Sequence, residues 1–456
     1  MRSSPLPILT VGTFAVGTEL FVIAGILPSI ARDLDVSVPV AGQLVTVFAL
    51  AYAAGAPLLA AWTENLPRRR ILTSSLVGFA VANLLASVAG SFWAMLATRV
   101  VAALSSSLFL PSALALAARL APEGRRGRAL AMVMLGLNLA TILGVPAGIQ
   151  VATLFGWRWI FVLVSALSAL VAVGVVFLVP EPPAIKGVGL GARFAVLRRS
   201  GLGRALALTS ATLLSVYVVY TYLAVLVHRS ANIGPAGLSG LLLYFGAAST
   251  LGAWLGCLLS DRCGSRTVLA VTVGVLALDL VGFSFLSGSF ASIAVLLTAW
   301  GLAGGAFNPA QQSRLVGLVP EASAAALAWN SSAVYLGQAL AGIAGGLVLQ
   351  WGGADRLGWI AGAFLGISGL VLLRDDFREV KARVEPSLTS AIPQDRIPLG
   401  RREFGVRIVE SPHGPSPELA DHGTLDGTVG SRIVLEKRAS AERSCLHGRP
   451  PQGRRR

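Results

Sequence analysis

Twelve runs of apolar residues, each long enough to cross a bilayer, leave a chain of this kind very few folds. They occupy approximately residues 7–30, 40–62, 71–91, 92–120, 129–152, 158–180, 205–227, 236–260, 267–287, 290–313, 323–349 and 357–374. A helix rises about 1.5 Å per residue and a hydrocarbon core is roughly 30 Å thick, so about 20 residues span it. Backbone polar groups in lipid must pair within the protein, which admits only helices or closed barrels, and runs this long are helices. Pro, Gly and charge separate them, as in LPRRR at 66–70 and EPPAIKG at 181–187. The weakest division is AGS at 89–91, between the third and fourth runs. With 54% hydrophobic residues, 13% charged and a mean hydropathy of +0.72, the chain has more apolar surface than a soluble core can hide. The expected fold is all-α and integral to the membrane. The first run is too long for a signal h-region and only Arg2 precedes it as a charge, so it reads as a retained span.

Charge placement sets the expected orientation. With the amino terminus inside, the inner loops of the twelve-span core carry fifteen Lys and Arg, among them Arg68, Arg69, Arg70, Arg262 and Arg266. The outer loops carry four: Arg32, Arg158, Arg229 and Arg356. Both termini are therefore expected in the cytoplasm, with the chain multi-pass in the cell membrane. Because the charge tracks alternate loops, the formal +15 does not point to nucleic acid. The three cysteines, Cys257, Cys263 and Cys445, fall at or beyond inner helix ends and fit neither a disulfide framework nor a metal motif. The chain has no phosphate loop, and its four histidines lie in loops or the tail, so neither ATP chemistry nor a membrane enzyme is expected. Nor is there a selectivity ring of the kind an ion channel needs.

An internal repeat organises the spans. APEGRRGRALA at 121–131 is echoed by VPEASAAALA at 319–328, and the offset of 198 carries Pro111, Gly144 and Gly148 onto Pro309, Gly342 and Gly346. At an offset of 197, Glu64 falls on Asp261. Six spans per repeat is even, so the repeats enter from the same side; parallel halves about an axis along the membrane normal are a secondary-transporter arrangement. The expected domains are a six-helix bundle at 1–180, a basic linker at 181–204, a second bundle at 205–374 and a disordered cytoplasmic tail at 375–456.

Two acids stand within the membrane. Glu19 is the only charge in the run Leu6–Ile30, about 20 Å from its start, too deep and too short to snorkel. A carboxylate at that depth is normally kept for proton or substrate handling. Asp279 is the other, in the ninth span, with a packing role favoured. Polar and aromatic residues on candidate inward helices supply a mixed cavity: Asn138, Tyr217, Tyr220, Tyr244, Asn308, Asn330, Tyr335 and Gln338.

From about residue 7 to 374 these patterns resemble the major facilitator superfamily, more narrowly its twelve-span drug:proton antiporters of the chloramphenicol-resistance and sugar-efflux branch. LSDRCGSR at 259–266 is similar to the family's loop motif G-x-L-A-D-R-x-G-R-K, with Cys257 where its first glycine would stand. The first-half copy is degraded: Ala60, Glu64, Asn65, Pro67 and Arg68 replace its Gly, Asp, Arg, Gly and Arg or keep only the charge. Acids and arginines at a helix end can clamp neighbouring helices by charge-assisted hydrogen bonds. The expected cytoplasmic gate is thus Glu64, Arg68, Arg69, Asp261, Arg262 and Arg266. GVPAG at 144–148 resembles the fifth-helix antiporter motif, with Gly144, Pro146 and Gly148 allowing close helix approach. GTELFVIAGILPSIARDL at 17–34, GWRWIF at 156–161 and VYTYLAV at 219–225 are also similar to the family.

Arg99 lies about eight residues into the fourth span, at a height Glu19 could share, and resembles the fourth-helix arginine the family is proposed to use in proton transfer. The resemblance implies two bundles around a central cavity and proton-coupled efflux of small, mostly apolar drugs, chloramphenicol-like, with Glu19 and Arg99 exchanging proton and drug. A sugar or metabolite exporter is the alternative; a sugar site would want several carboxylates, amides and a Trp platform. The implied partners are a small-molecule substrate, protons and the lipid bilayer, without cofactor or metal, in a monomer.

Overall fold

A computed structural model gives the structure of the chain and describes residues 5–63, 66–121, 126–180, 190–285, 289–354 and 356–370. The first half contains α1 (Leu6–Asp33), α2 (Val38–Trp62), α3 (Arg68–Ser87) and α4 (Phe92–Leu120). In the fifth span α5 (Arg126–Leu139) runs through a π-helical turn, Ala140–Gly144, into α6 (Val145–Phe155); α7 (Arg158–Leu178) completes the half. A short α8 (Leu190–Ala195) precedes the second half. There α9 (Leu202–Tyr220) and α10 (Leu223–Ala231) share the seventh span, followed by α11 (Pro235–Cys263), α12 (Ser265–Gly282), α13 (Phe290–Leu318) and α14 (Ser323–Gly352). Eleven of the described spans are long and apolar enough to cross a membrane, and the shorter apolar α15 (Arg356–Leu370) is the twelfth.

Local chemistry sets the ends. Ser37, Ser91 and Ser289 cap α2, α4 and α13 by accepting from the backbone N–H groups of Val40, Ala94 and Ser292. The division at 89–91 is real: α3 stops at Ser87 and Ser91 starts the next helix. Two breaks lie inside spans read as continuous. Thr221 and Tyr222 interrupt the seventh, and the N–H of Val145 donates to the carbonyl of Ala140 to close the π turn in the fifth. The linker, expected to reach 204, is shorter, because α9 already begins at Leu202. Its last residues dock on the second half, where the Phe194 ring meets Trp329 edge-on at 5.0 Å and Val196 is buried with Leu202, Leu206 and Leu315. Residues 181–189 and the tail expected to be disordered lie outside the described residues.

Each half packs around its own interior. In the first, α3 lies between α4 and α7, α2 packs on α4, and α1 on the fifth span and α7; in the second, α11 and α12 flank α13 and α14 packs on α9. The halves meet along three seams: α2 on α14, the π turn and α6 on α11, and α1 on α10. The contacts along them run from mid-height towards the face opposite the amino terminus. Gly42 and Thr46 adjoin Tyr222 and Gly342, Ser239 Oγ donates to the Pro146 carbonyl at 3.0 Å, and Tyr220 Oη donates to the Phe21 carbonyl at 3.4 Å. The apolar patch of Ala24, Gly25, Tyr220, Leu223, Ala224 and Leu238 continues the same seam.

Candidate functional site

Glu19 is thirteen residues from the start of α1, about 20 Å up from the amino-terminal face. Arg99 is seven residues from the start of α4, which enters from the opposite face, about 10 Å down. In a core of roughly 30 Å these heights coincide. The structure joins them: Arg99 Nη1 and Glu19 Oε1 form an ion pair, and both side chains are 0% exposed. The guanidinium also sits over the Phe161 ring of α7, 4.9 Å from its centroid. Beyond each other, the two groups have no hydrogen-bond partner among the described residues. The pair therefore lies inside the first bundle, open neither to lipid nor to the cavity in this conformation. It is the kind of pair whose single-partner removal costs about 3–5 kcal/mol, because the other charge is left buried alone.

One residue before Glu19, the fifth-span motif makes contact. A Cβ added at Gly144 would strike the Thr18 hydroxyl, and one at Gly148 would lie 2.7 Å from Val22. The other side of the same turn faces the second half, where the backbone of Thr141 and Ile142 abuts Gly246 of α11. Gly144, Pro146 and Gly148 thus occupy a three-helix junction linking the Glu19 helix to the seam between halves. Asn138, half-buried, lies just before the turn, and Thr141 Oγ1 donates to its carbonyl at 2.8 Å.

At mid-height the halves meet through aromatic rings. Tyr52 of α2 stacks on Tyr335 of α14 with centroids 3.5 Å apart and planes at 22°. Tyr217 and Tyr220 contact each other edge-on, and Tyr220 also packs against Phe21, Phe245 and Trp300. On α14, Ala333 and Gly337 face Ser210 of α9, whereas Gly342 and Gly346 face α2; helical spacing puts Asn330, Val334 and Gln338 between them. Asn330 is held by a chain of bonds in which Gln311 Nε2 donates to Thr209 Oγ1 at 2.9 Å and Thr209 donates to Asn330 Oδ1 at 2.8 Å. Asn308 is exposed on α13. Tyr244 stands apart from the group: it is 55% exposed, on the side of α11 opposite Ser239 and Gly246, which meet the first half.

The expected gate residues fall at helix ends on the amino-terminal face. Arg68 and Arg69 open α3, Asp261 and Arg262 close α11, and Arg266 opens α12; Glu64 lies outside the described residues. Asp261 is exposed and makes no ion pair among the described residues. The opposite face of the first half carries a clamp absent from the sequence reading. Asp33 at the end of α1 accepts from Trp157 Nε1 at 2.9 Å and pairs with Arg158 at 2.7 Å, while Arg158 donates to the Ala89 carbonyl at 3.3 Å. This gives GWRWIF a physical role at the junction of the first, third and sixth spans. Asp279 is 6% exposed near the end of α12, without a hydrogen-bond partner among the described residues.

Two six-helix bundles meeting along seams on one side, with a buried carboxylate–guanidinium pair beside one seam, define an integral membrane transporter. The chain belongs to the major facilitator superfamily, whose family model matches residues 9–297 and 202–409. It is 31% identical over 368 residues to the MFS-type transporter YbcL of Bacillus subtilis, covering 80% of this chain and 94% of that one. It is 38% identical over 287 residues to a chloramphenicol resistance protein of Streptomyces lividans, covering 62% and 72%. In fold it is similar to a bacterial homologue of the human lysosomal transporter Spinster in an inward-facing, unoccupied conformation. The TM-score is 0.68 at 18% identity, over 82% of this chain and 96% of the other.

Proposed function

We propose that the chain is a proton-coupled exporter of small, mostly apolar drugs, chloramphenicol-like, working by alternating access as a monomer in the cell membrane with both termini cytoplasmic. The sealed Glu19–Arg99 pair carries this reading. A carboxylate held, among the described residues, by one guanidinium has two stable states: ionised and paired, or protonated with the pair released. Burial favours the neutral acid and the arginine favours the anion, so a modest change in surroundings exchanges one for the other. The π turn supplies that change, because Thr18 beside Glu19 touches the same turn that bears on Gly246 across the seam. With the amino terminus in the cytoplasm, the closed seam is the outer one. The aromatic and amide groups at mid-height then face cargo arriving from inside, and the acids and arginines around Asp261 re-form their clamp when that side closes. The name of the Streptomyces relative supports a drug of the chloramphenicol type.

The test is drug uptake into inside-out vesicles carrying the full chain. Glu19→Gln keeps the shape and hydrogen-bonding reach but cannot cycle a proton, and should abolish uphill chloramphenicol transport while facilitated movement down its gradient persists. Uphill transport at the wild-type rate by Glu19→Gln sinks the proposal.

A further inference from the structure

The interior exposes rings but buries its carboxylates. Two tyrosines at mid-height remain half-buried, Tyr335 on α14 and Tyr217 on α9, and each is backed by a buried one. Tyr335 stacks on Tyr52, which is 3% exposed; Tyr217 meets Tyr220, which is 7% exposed and wedged by Phe21, Phe245 and Trp300. The helices that carry them pack together, with Gly337 of α14 against Leu213 and Leu214 of α9 and Gly345 of α14 beside the Val218 carbonyl. Asn330 and Gln338 share α14 with Tyr335 and are 5% and 2% exposed. Of the described carboxylates, the two at membrane depth, Glu19 and Asp279, are both buried, and the first is paired with Arg99.

We propose that Tyr335 and Tyr217, held in place by Tyr52 and Tyr220, form a seat that selects an uncharged aromatic solute with hydrogen-bonding substituents and rejects cationic aromatics. This rests on the exporter reading above and names its substrate class. A tyrosine face attracts a cation as well as a ring, so the rings alone do not choose. The choice comes from charge. A cation drawn out of water into this wall finds no exposed carboxylate, and burying an uncompensated charge outweighs a cation–π contact. A neutral ring loses little on desolvation and keeps the stacking, while its substituents bond the tyrosine hydroxyls. A sugar keeps the hydrogen bonds but has no flat face to fill the seat. Tyr335 and Tyr217 touch the ligand. Tyr52 is a positioning residue, because it is buried and its ring lies against that of Tyr335.

The test is calorimetric titration of the full chain in lipid nanodiscs at fixed pH, without a proton gradient, so a failure of proton coupling leaves the outcome readable. The probes are chloramphenicol, the cation tetraphenylphosphonium and the sugar arabinose. Chloramphenicol is expected to bind at least about 10-fold more tightly than either of the others. Tyr335→Leu and Tyr217→Leu should each weaken it about 5- to 10-fold, and Tyr335→Phe less than about 3-fold. Tyr52→Leu should narrow the chloramphenicol-to-cation ratio and Tyr52→Phe restore it, a readout that general loss of packing does not reproduce. Unchanged melting of each variant shows that it is folded, and Tyr244→Leu, outside the seat, should bind as wild type. Equal affinity for the cation, chloramphenicol binding indifferent to the tyrosines, or no chloramphenicol binding at all each overturns the proposal.

Discussion

Adding a single methyl group at Gly246 should open the closed side of the molecule. An ideal Cβ there would stand 2.8 Å from Ile142 Cα, 2.8 Å from the Thr141 carbonyl oxygen and 2.9 Å from the Ile142 nitrogen. All three are backbone atoms of the π turn and no side chain can rotate out of the way, so α11 and the turn must part by about half an ångström or more. Overpacking of this kind costs about 1–3 kcal/mol. The contact joins the two halves, so the cost falls on the conformation in which this seam is shut. At 1.4 kcal/mol per factor of ten, the shut population should fall roughly 5- to 150-fold relative to the open one. Ala24 lines the adjoining α1–α10 seam, in a patch completed by Leu238 and Leu242 of α11, and is 8% exposed. In a background with Cys257, Cys263 and Cys445 replaced by Ser, Ala24→Cys reports opening through its rate of alkylation by a membrane-impermeant maleimide. Gly246→Ala should raise that rate at least about 5-fold. Gly240→Ala is the control, since nothing lies within 4 Å of a Cβ at that position on the same helix. Equal rates in the two folded variants would refute the assignment of this contact as a closing seam.

Two further outcomes follow from contacts elsewhere. A Cβ at Gly42 would strike the Tyr222 hydroxyl, which donates to the Gly342 carbonyl at 3.0 Å, so Gly42→Ala should open the α2–α14 seam by the same alkylation assay. Adding Tyr222→Phe should recover part of the loss, a coupling that a double-mutant cycle measures. Thr209→Val breaks the chain from Gln311 to Asn330 and leaves buried polar groups unpaired, so thermal unfolding should show a loss of about 1–3 kcal/mol, whereas Thr209→Ser should be near neutral.

The spans were legible because lipid forces a simple code: apolar runs of fixed length, broken by Pro, Gly and charge. The pairing of Glu19 with Arg99 was legible by arithmetic, since two charges entering from opposite faces reach the same height only at those depths. The break at Thr221–Tyr222 was not, because YTYLAVLV stays apolar through it, and the Tyr222 ring is held by glycines on two distant helices. The π turn left no mark in composition either; it is stabilised by what abuts Gly144 and Gly246. Tyr52 was missed because nothing around it resembles a motif, and its role exists only once α14 brings Tyr335 onto it. Tyr244 shows the opposite error. Its residue type suited a cavity, but it lies two residues from Gly246, about 200° around the helix, on the side away from the other half.

The most direct check on Glu19 as the group that trades a proton for cargo is proton release on substrate binding. Purified chain in weakly buffered detergent, with a pH indicator, is mixed with saturating chloramphenicol. The wild type should change its bound protons by a measurable fraction of one per chain, and Glu19→Gln, binding the drug, should show none. The same proton change in both would contradict the assignment.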